Sequence, residues 1–310
     1  MGMTSGCYGK VPIHGDFIRH NVTGTEIDQL DQWLQAGILS SRTTLGSTWD
    51  PSFDASRPQR FLYKPAGGRT VAGVIAASKD KPGRRFPFIV FTVIDAKSPP
   101  ADATILPAAL TPFFDQAEEA ILNGWQGKDL KTYLAHLDGL ALPPDLEDGR
   151  KAIHHFVADG TSQLLWSGLF DRPDDFRKYL LIHNLVETIR PGTVPKYALR
   201  IPRATSAPAV AFWLELCRKL GRREQLPTLC LWGPGRGEDP GGLTIVLDDL
   251  QAKYFLPLWW PERPNNLLFP LADGTNAADP RAVQAKSRYG ALLDDGGLRL
   301  SSLMVRLTAH

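Results

Sequence analysis

The stretch "FPFIVFTVID" at residues 86–95 restricts the fold more than any other part of this chain. It is nearly all apolar and rich in β-branched and aromatic residues, a composition that fits a strand covered on both faces. A sheet with such a strand at its centre needs packing layers on either side. "QRFLYKP" (59–65) and "RTVAGVIAAS" (69–78) read as further short strands, separated by the turn-forming Gly67-Gly68.

Helices are available to cover the sheet. Ile27, Leu30, Trp33, Leu34 and Ile38 recur at amphipathic spacing and predict a helix over 25–43, with Thr25 as its cap. "SPPADATILP" (98–107) then carries the chain away from the sheet. "LTPFFDQAEEAILNGWQ" (110–126) places Phe113, Phe114, Ala117, Ala120 and Ile121 along one side, and "DLKTYLAHLDGL" (129–140) predicts a second helix ending near Gly139. The paired prolines and dense charge of "ALPPDLEDGRK" (141–151) mark a border. We therefore divide the chain into 1–147 and 148–310, the second region completing or extending the same sheet.

That second region predicts a helix at 176–190, a strand at 196–202, a helix at 207–221 closed by Gly221, and strands in "PTLCLWG" and "GLTIVLDD". "PRAVQAKSRYGALL" reads as a helix and "LSSLMVRLTAH" (300–310) as a terminal strand. Alternating strands and helices define the class as α/β, a layered sandwich around a mixed or antiparallel sheet, enlarged in the second half by a helical stretch and more strands.

Charge and cysteine usage remove several functions. With 35 basic and 33 acidic residues the net charge is +2, too small a field to drive binding to nucleic acid or an anionic membrane. Cys7, Cys217 and Cys230 lie far apart without C-x-x-C spacing, which argues for reduced thiols in a cytoplasm and gives zinc no ligand set. The first residues lack a signal-peptide core and nowhere do 18 apolar residues run together, so a cytoplasmic protein without membrane insertion is expected.

Reactive residue types concentrate in two places. "YGKVPIHGDF" (8–17) holds Gly9, Lys10, Pro12, His14, Gly15, Asp16 and Phe17. A phosphate loop requires G-x-x-x-x-G-K-[ST]; here Val11 and Pro12 follow the lysine, and proline removes a backbone donor where the cradle needs one. His14 and Asp16 lack a Ser or Cys in a nucleophile context, and Cys7 would need an electropositive, partly exposed setting to act as one. The pair His154-His155 lacks a partner at metal-ligand spacing and is expected at a surface or helix end. The Gly-rich "GPGRGEDPGG" (233–242), between two predicted strands, reads as a hairpin loop that requires no ligand.

"SKDKPGRRFP" (78–87) is the second dense place. Its arginines suit phosphate, but Asp80 followed by Pro82-Gly83 is turn chemistry, and Arg84 or Arg85 is expected to pair with a carboxylate. Asp16 is the candidate partner, so the two loops are expected to be pinned together. Among the tryptophans, mostly core anchors, Trp259 and Trp260 in "FLPLWWP" read as a packed turn or, because two adjacent indoles do not easily share one buried face, as a candidate partner surface.

Taken together these blocks resemble the TagF (ImpM) family of type VI secretion accessory proteins. "YGKVPIHGDF" is similar to that family's G-K-x-P-x-x-G-D-F; it is followed in the same order by an x-W-L-Q helix bearing Trp33 and by "AGVIAASKDKPGRRFP". The likeness covers about residues 7–125 and departs from the pattern at Ala77, where proline often precedes the serine. Matched signature positions are Gly9, Lys10, Pro12, Gly15, Asp16, Phe17, Trp33, Asp80, Gly83, Arg84, Phe86 and Pro87, with Arg85 beside them. The resemblance implies an α/β sandwich and a cytoplasmic regulator that restrains assembly or firing of the secretion machine after translation, by binding a forkhead-associated (FHA) scaffold. With no catalytic constellation complete, no enzyme, cofactor or metal is expected. The alternatives are a hydrolase or phosphate-ligand protein built on Lys10, His14, Asp16 and Arg84, and a structural subunit of the secretion apparatus.

Overall fold

The computed structural model describes residues 3–94, 103–222, 227–263 and 265–309. Residues 98–102 of the connection expected at 98–107 lie outside them, as does Asp95. Among the described residues nine strands form one sheet: β1 (Ser5–Gly9), β2 (Ile18–His20), β3 (Gln59–Tyr63), β4 (Thr70–Ala76), β5 (Phe88–Ile94), β6 (Ala198–Pro202), β7 (Leu229–Pro234), β8 (Gly241–Val246) and β9 (Leu268–Pro270), in the order β2-β1-β5-β4-β3-β7-β8-β6-β9. β6 and β9 pair in parallel and the other pairs are antiparallel, so the sheet is mixed.

The apolar run does form a strand buried on both faces, β5, paired on one side with β1 and on the other with β4. The middle of the sheet, however, is β3, because β7 adds to its far edge and carries the sheet into the second half. Side-chain alternation assigns the two faces. Phe88 and Val90 of β5 join Ala72 and Val74 of β4 in one core, while Ile89 and Phe91 join Val71 and Ile75 in the other. Burying each large apolar side chain contributes about 1.5–3 kcal/mol, so both faces need their helical cover.

On the first face lie α3 (Leu106–Ala109), α4 (Thr111–Glu119), α5 (Leu130–Asp138), α6 (Glu147–Asp159), α7 (Ser162–Phe170), α8 (Arg177–Thr188) and α9 (Ala207–Leu220), each of which contributes apolar residues to that core or packs them against it. The second face is covered by α1 (Glu26–Leu45), α2 (Trp49–Asp54) and α10 (Phe255–Trp259), through Ile27, Leu30, Trp33, Phe53 and Phe255. α11 (Pro280–Leu293) and α12 (Leu300–Thr308) complete the chain.

Three expectations are corrected. Thr25 precedes α1 but its side chain makes no capping bond; it has helical backbone angles, which turn the hydroxyl away from the first free N–H groups. Within the charged run at 141–151, α6 starts at Glu147, with Glu147 and Asp148 in its first turn, where acidic residues favour a helix. The chain end is a helix and not a strand: Leu300, Leu303, Met304 and Leu307 are buried at i, i+3, i+4 and i+7, while Val305 is exposed. Trp260 is fully buried, its indole N–H donating to the Ser52 carbonyl at 3.3 Å, so it forms part of the second core and no partner surface. The backbone after α10 turns the neighbouring Trp259 the other way; it is half-buried, stacked on Phe53 and Phe255.

Candidate functional site

The two dense loops meet. β1 ends at Gly9, where φ is +122° and an added Cβ would lie 2.0 Å from the Pro87 carbonyl oxygen; only glycine allows the strand to run this close to the start of β5. Lys10, the next residue, is thereby directed inward beneath the β4–β5 hairpin. Its ammonium lies 3.0 Å from the Asp80 carboxylate, and both groups are buried. It also sits 4.9 Å from the centre of the Phe17 ring, a cation–π distance.

Asp80 organises the hairpin tip. It accepts from the Arg84 backbone N–H at 2.7 Å and from Arg84 Nε at 2.7 Å, while Gly83, at φ +93°, closes the turn by donating to the Asp80 carbonyl. Burial by itself would raise the Asp80 carboxyl; the bonds from Lys10 and Arg84 outweigh it and hold the group down to about 2. Two bonds tie this tip to the first loop: Arg84 donates to the Gly15 carbonyl at 2.7 Å, and the Lys81 N–H to the His14 carbonyl at 2.8 Å.

The loops are thus pinned together, but not by the pair expected. Asp16 is exposed and accepts from its neighbour's N–H, Phe17, at 2.8 Å, a local turn bond that satisfies it without Arg84. Arg84 finds its carboxylate four residues back in its own turn. Arg85, on the opposite side of the hairpin, grips Asp54 of α2 through Nε and Nη2 at 2.7 and 2.6 Å and reaches Asp50 at 2.8 Å. The Asp54 carboxyl is lowered by these Arg85 bonds. Nothing in the sequence pattern distinguishes Asp50 and Asp54 from other surface acids, since only the fold brings α2 to the hairpin.

The remaining signature residues sort by burial. Phe86 is buried and meets Phe17 edge-on at 4.8 Å and Tyr8 at 6.1 Å; Pro87 is buried, and Pro12 half-buried. Trp33 stands apart from the loops, donating to the Gln251 carbonyl at 3.0 Å and packing on Phe255, so it fastens α1 to the second half. Phe17 remains 40% exposed and the Arg84 side chain 60%, beside the exposed Gly15 and Asp16. The result is an aromatic side chain at the surface, framed by charge and held on a rigid base. Cys7 is fully buried, and burial, with Asp138 adding, pushes its thiol up to about 12, far from a nucleophile's range.

Fold and site define a layered α/β protein whose two loops are locked by a buried lysine–aspartate pair. Residues 6–140 match the family model of the TagF N-terminal domain, described as type VI secretion system-associated; this part of the chain is similar to such a domain, and the match links it to type VI secretion. The match takes in both loops, β1 from its second residue, β2–β5, and α1–α5. Matching solved structures include the crystal structure of PA0076 from Pseudomonas aeruginosa PAO1, 29% identical, covering 46% of this chain and 64% of that chain, with a TM-score of 0.42. The likeness therefore spans just under two thirds of that chain's length. A comparison with curated proteins finds no match. Among the described residues no helix is long and apolar enough to cross a membrane.

Proposed function

We propose that this protein is a cytoplasmic accessory regulator of a type VI secretion system, restraining assembly or firing after translation by occupying a partner's surface. The observation that carries this reading is the match of residues 6–140 to a type VI-associated domain, together with what its signature residues do. Gly9, Lys10, Asp80, Gly83 and Arg84 are engaged in shaping two loops, and the product of that shaping is an exposed Phe17. Such an aromatic anchor with a polar surround is the form a protein-binding centre takes. The partner favoured by the family resemblance is the FHA scaffold.

A non-enzymatic role is part of the proposal. Lys10 is closed into an ion pair 8% exposed on the lysine side, Asp16 is in a turn bond, and the Cys7 thiol is buried, which supports binding rather than hydrolysis. Co-purification of the tagged chain with the FHA scaffold, together with effector secretion in a strain deleted for this gene, tests the reading. Retention of the scaffold and altered secretion are expected; no retention with unchanged secretion would overturn it.

A further inference from the structure

The Gly-rich loop "GPGRGEDPGG" does more than connect two strands. Between β7 and β8 it folds back over the end of the sheet: Arg236 donates to the Ser52 carbonyl of α2 at 2.9 Å, and Asp239 holds Arg200 by bonds of 2.6 and 2.7 Å. Arg200 is further fixed by Thr244 Oγ1 at 2.8 Å. Loop, α2 exit and α10 thereby enclose a cavity of about 40 Å³ lined by Arg57, Arg236 and Trp259. That volume holds roughly three waters, the size of a four-oxygen anion, and is too small for a nucleotide.

The lining charge is unbalanced. Asp239 neutralises Arg200, both largely buried. Arg57 has no carboxylate partner among the described residues, and Arg236 is bonded to a neutral carbonyl. Opposing them stands one carboxylate, the exposed Glu262 at the rim. The Trp259 indole N–H is committed to Ser56 Oγ at 2.9 Å, so its ring serves as an apolar wall, which strengthens charge interactions beside it. Guanidinium forks are matched to the oxygens of a phosphoryl group.

We propose that this cavity, between Arg57, Arg236 and the Trp259 ring, is a binding site for a single phosphoryl oxyanion, either free phosphate or a phosphorylated side chain. Calorimetric titration of the full chain at constant ionic strength, with inorganic phosphate in one arm and O-phosphoserine in the other, tests it. Saturable binding is expected, weakened about tenfold or more in Arg57→Gln, as loss of a charge-assisted bond requires. Glu262→Gln is expected to bind more tightly than wild type, a gain that misfolding does not produce. Phosphate binding alone identifies the free anion as the source; binding in both arms identifies a site open to a phosphorylated side chain. The proposal is overturned by the absence of saturable heat in both arms, or by Arg57→Gln and Glu262→Gln binding as wild type does.

Discussion

The ammonium of Lys10 lies 3.0 Å from the carboxylate of Asp80, and neither group is open to water. A buried ion pair of this kind is costly to break from one side, because without Lys10 the buried Asp80 carboxylate keeps only the bonds from Arg84 and cannot recover its hydration. Lys10→Met alone is expected to lower the melting temperature by several degrees, and Lys10→Met combined with Asp80→Leu to lose less than the sum of the two single losses. Thermal unfolding of the four members of the cycle measures this coupling. A loss in the double variant equal to the sum of the two single losses would show that the pair does not act as a unit.

Two signature glycines separate by mechanism. At Gly9 the positive φ and the Pro87 carbonyl leave no room for a methyl group, so Gly9→Ala is expected to cost on the order of 1–3 kcal/mol or more. At Gly15 no atom lies within 4 Å of the added Cβ, and Gly15→Ala is expected to change stability by less than about 0.5 kcal/mol. Denaturant unfolding of both variants checks the contrast, and a reduced partner affinity in the stable Gly15→Ala would place that residue at the interface.

Acid should weaken the fold through two carboxylates. Bonds from the Arg69 side chain, opposed by burial, hold Glu26 down to about 2 from an ordinary 4.5; burial opposed by Lys10 and Arg84 leaves Asp80 at about 2 from an ordinary 3.8. Both folded values lie below the unfolded ones. Their stabilisation is therefore fully present above the ordinary values and is lost as pH falls through about 2. Unfolding free energies measured from about pH 6 down to about pH 3 should be level at first and then decline, and Glu26→Gln should reduce the slope of the decline.

The terminal helix supplies a further check. Leu303 is fully buried and Val305 63% exposed on the same helix. Leu303→Ala is expected to cost about 2–5 kcal/mol and Val305→Thr less than about 0.5 kcal/mol, read by denaturant unfolding. Similar costs at both positions would restore the strand expected from sequence.

What could be read in the sequence was mostly local. The apolar run that became β5, the α1 stripe of Ile27, Leu30 and Trp33, and the Asp80-Pro82-Gly83 turn each carry their own signal within a few residues. β1 and β2 were hidden because their glycines and charges made the segment look like a reactive loop. The terminal helix was missed because Val305 and the apolar residues around it fit an extended reading as well as a helical one. At the site, the sequence points to the pinning of the two loops but not to its atoms: it offers Lys10 for phosphate chemistry and Asp80 for a turn, and only the sheet register of β1 against β5 brings them together. Arg85 with Asp50 and Asp54 is likewise a contact made by the packing of α2, across 31 to 35 residues of chain.

The central claim is that Lys10, Asp80 and Arg84 build a base from which Phe17 meets a type VI partner. Its most direct measurement is the amount of FHA scaffold retained by the tagged full chain, wild type against Phe17→Ala, with the melting temperature of each recorded. The account predicts stoichiometric retention by wild type and a loss of roughly tenfold or more in an equally stable Phe17→Ala. Retention of the scaffold by Phe17→Ala at the wild-type level, or by neither protein, would contradict it.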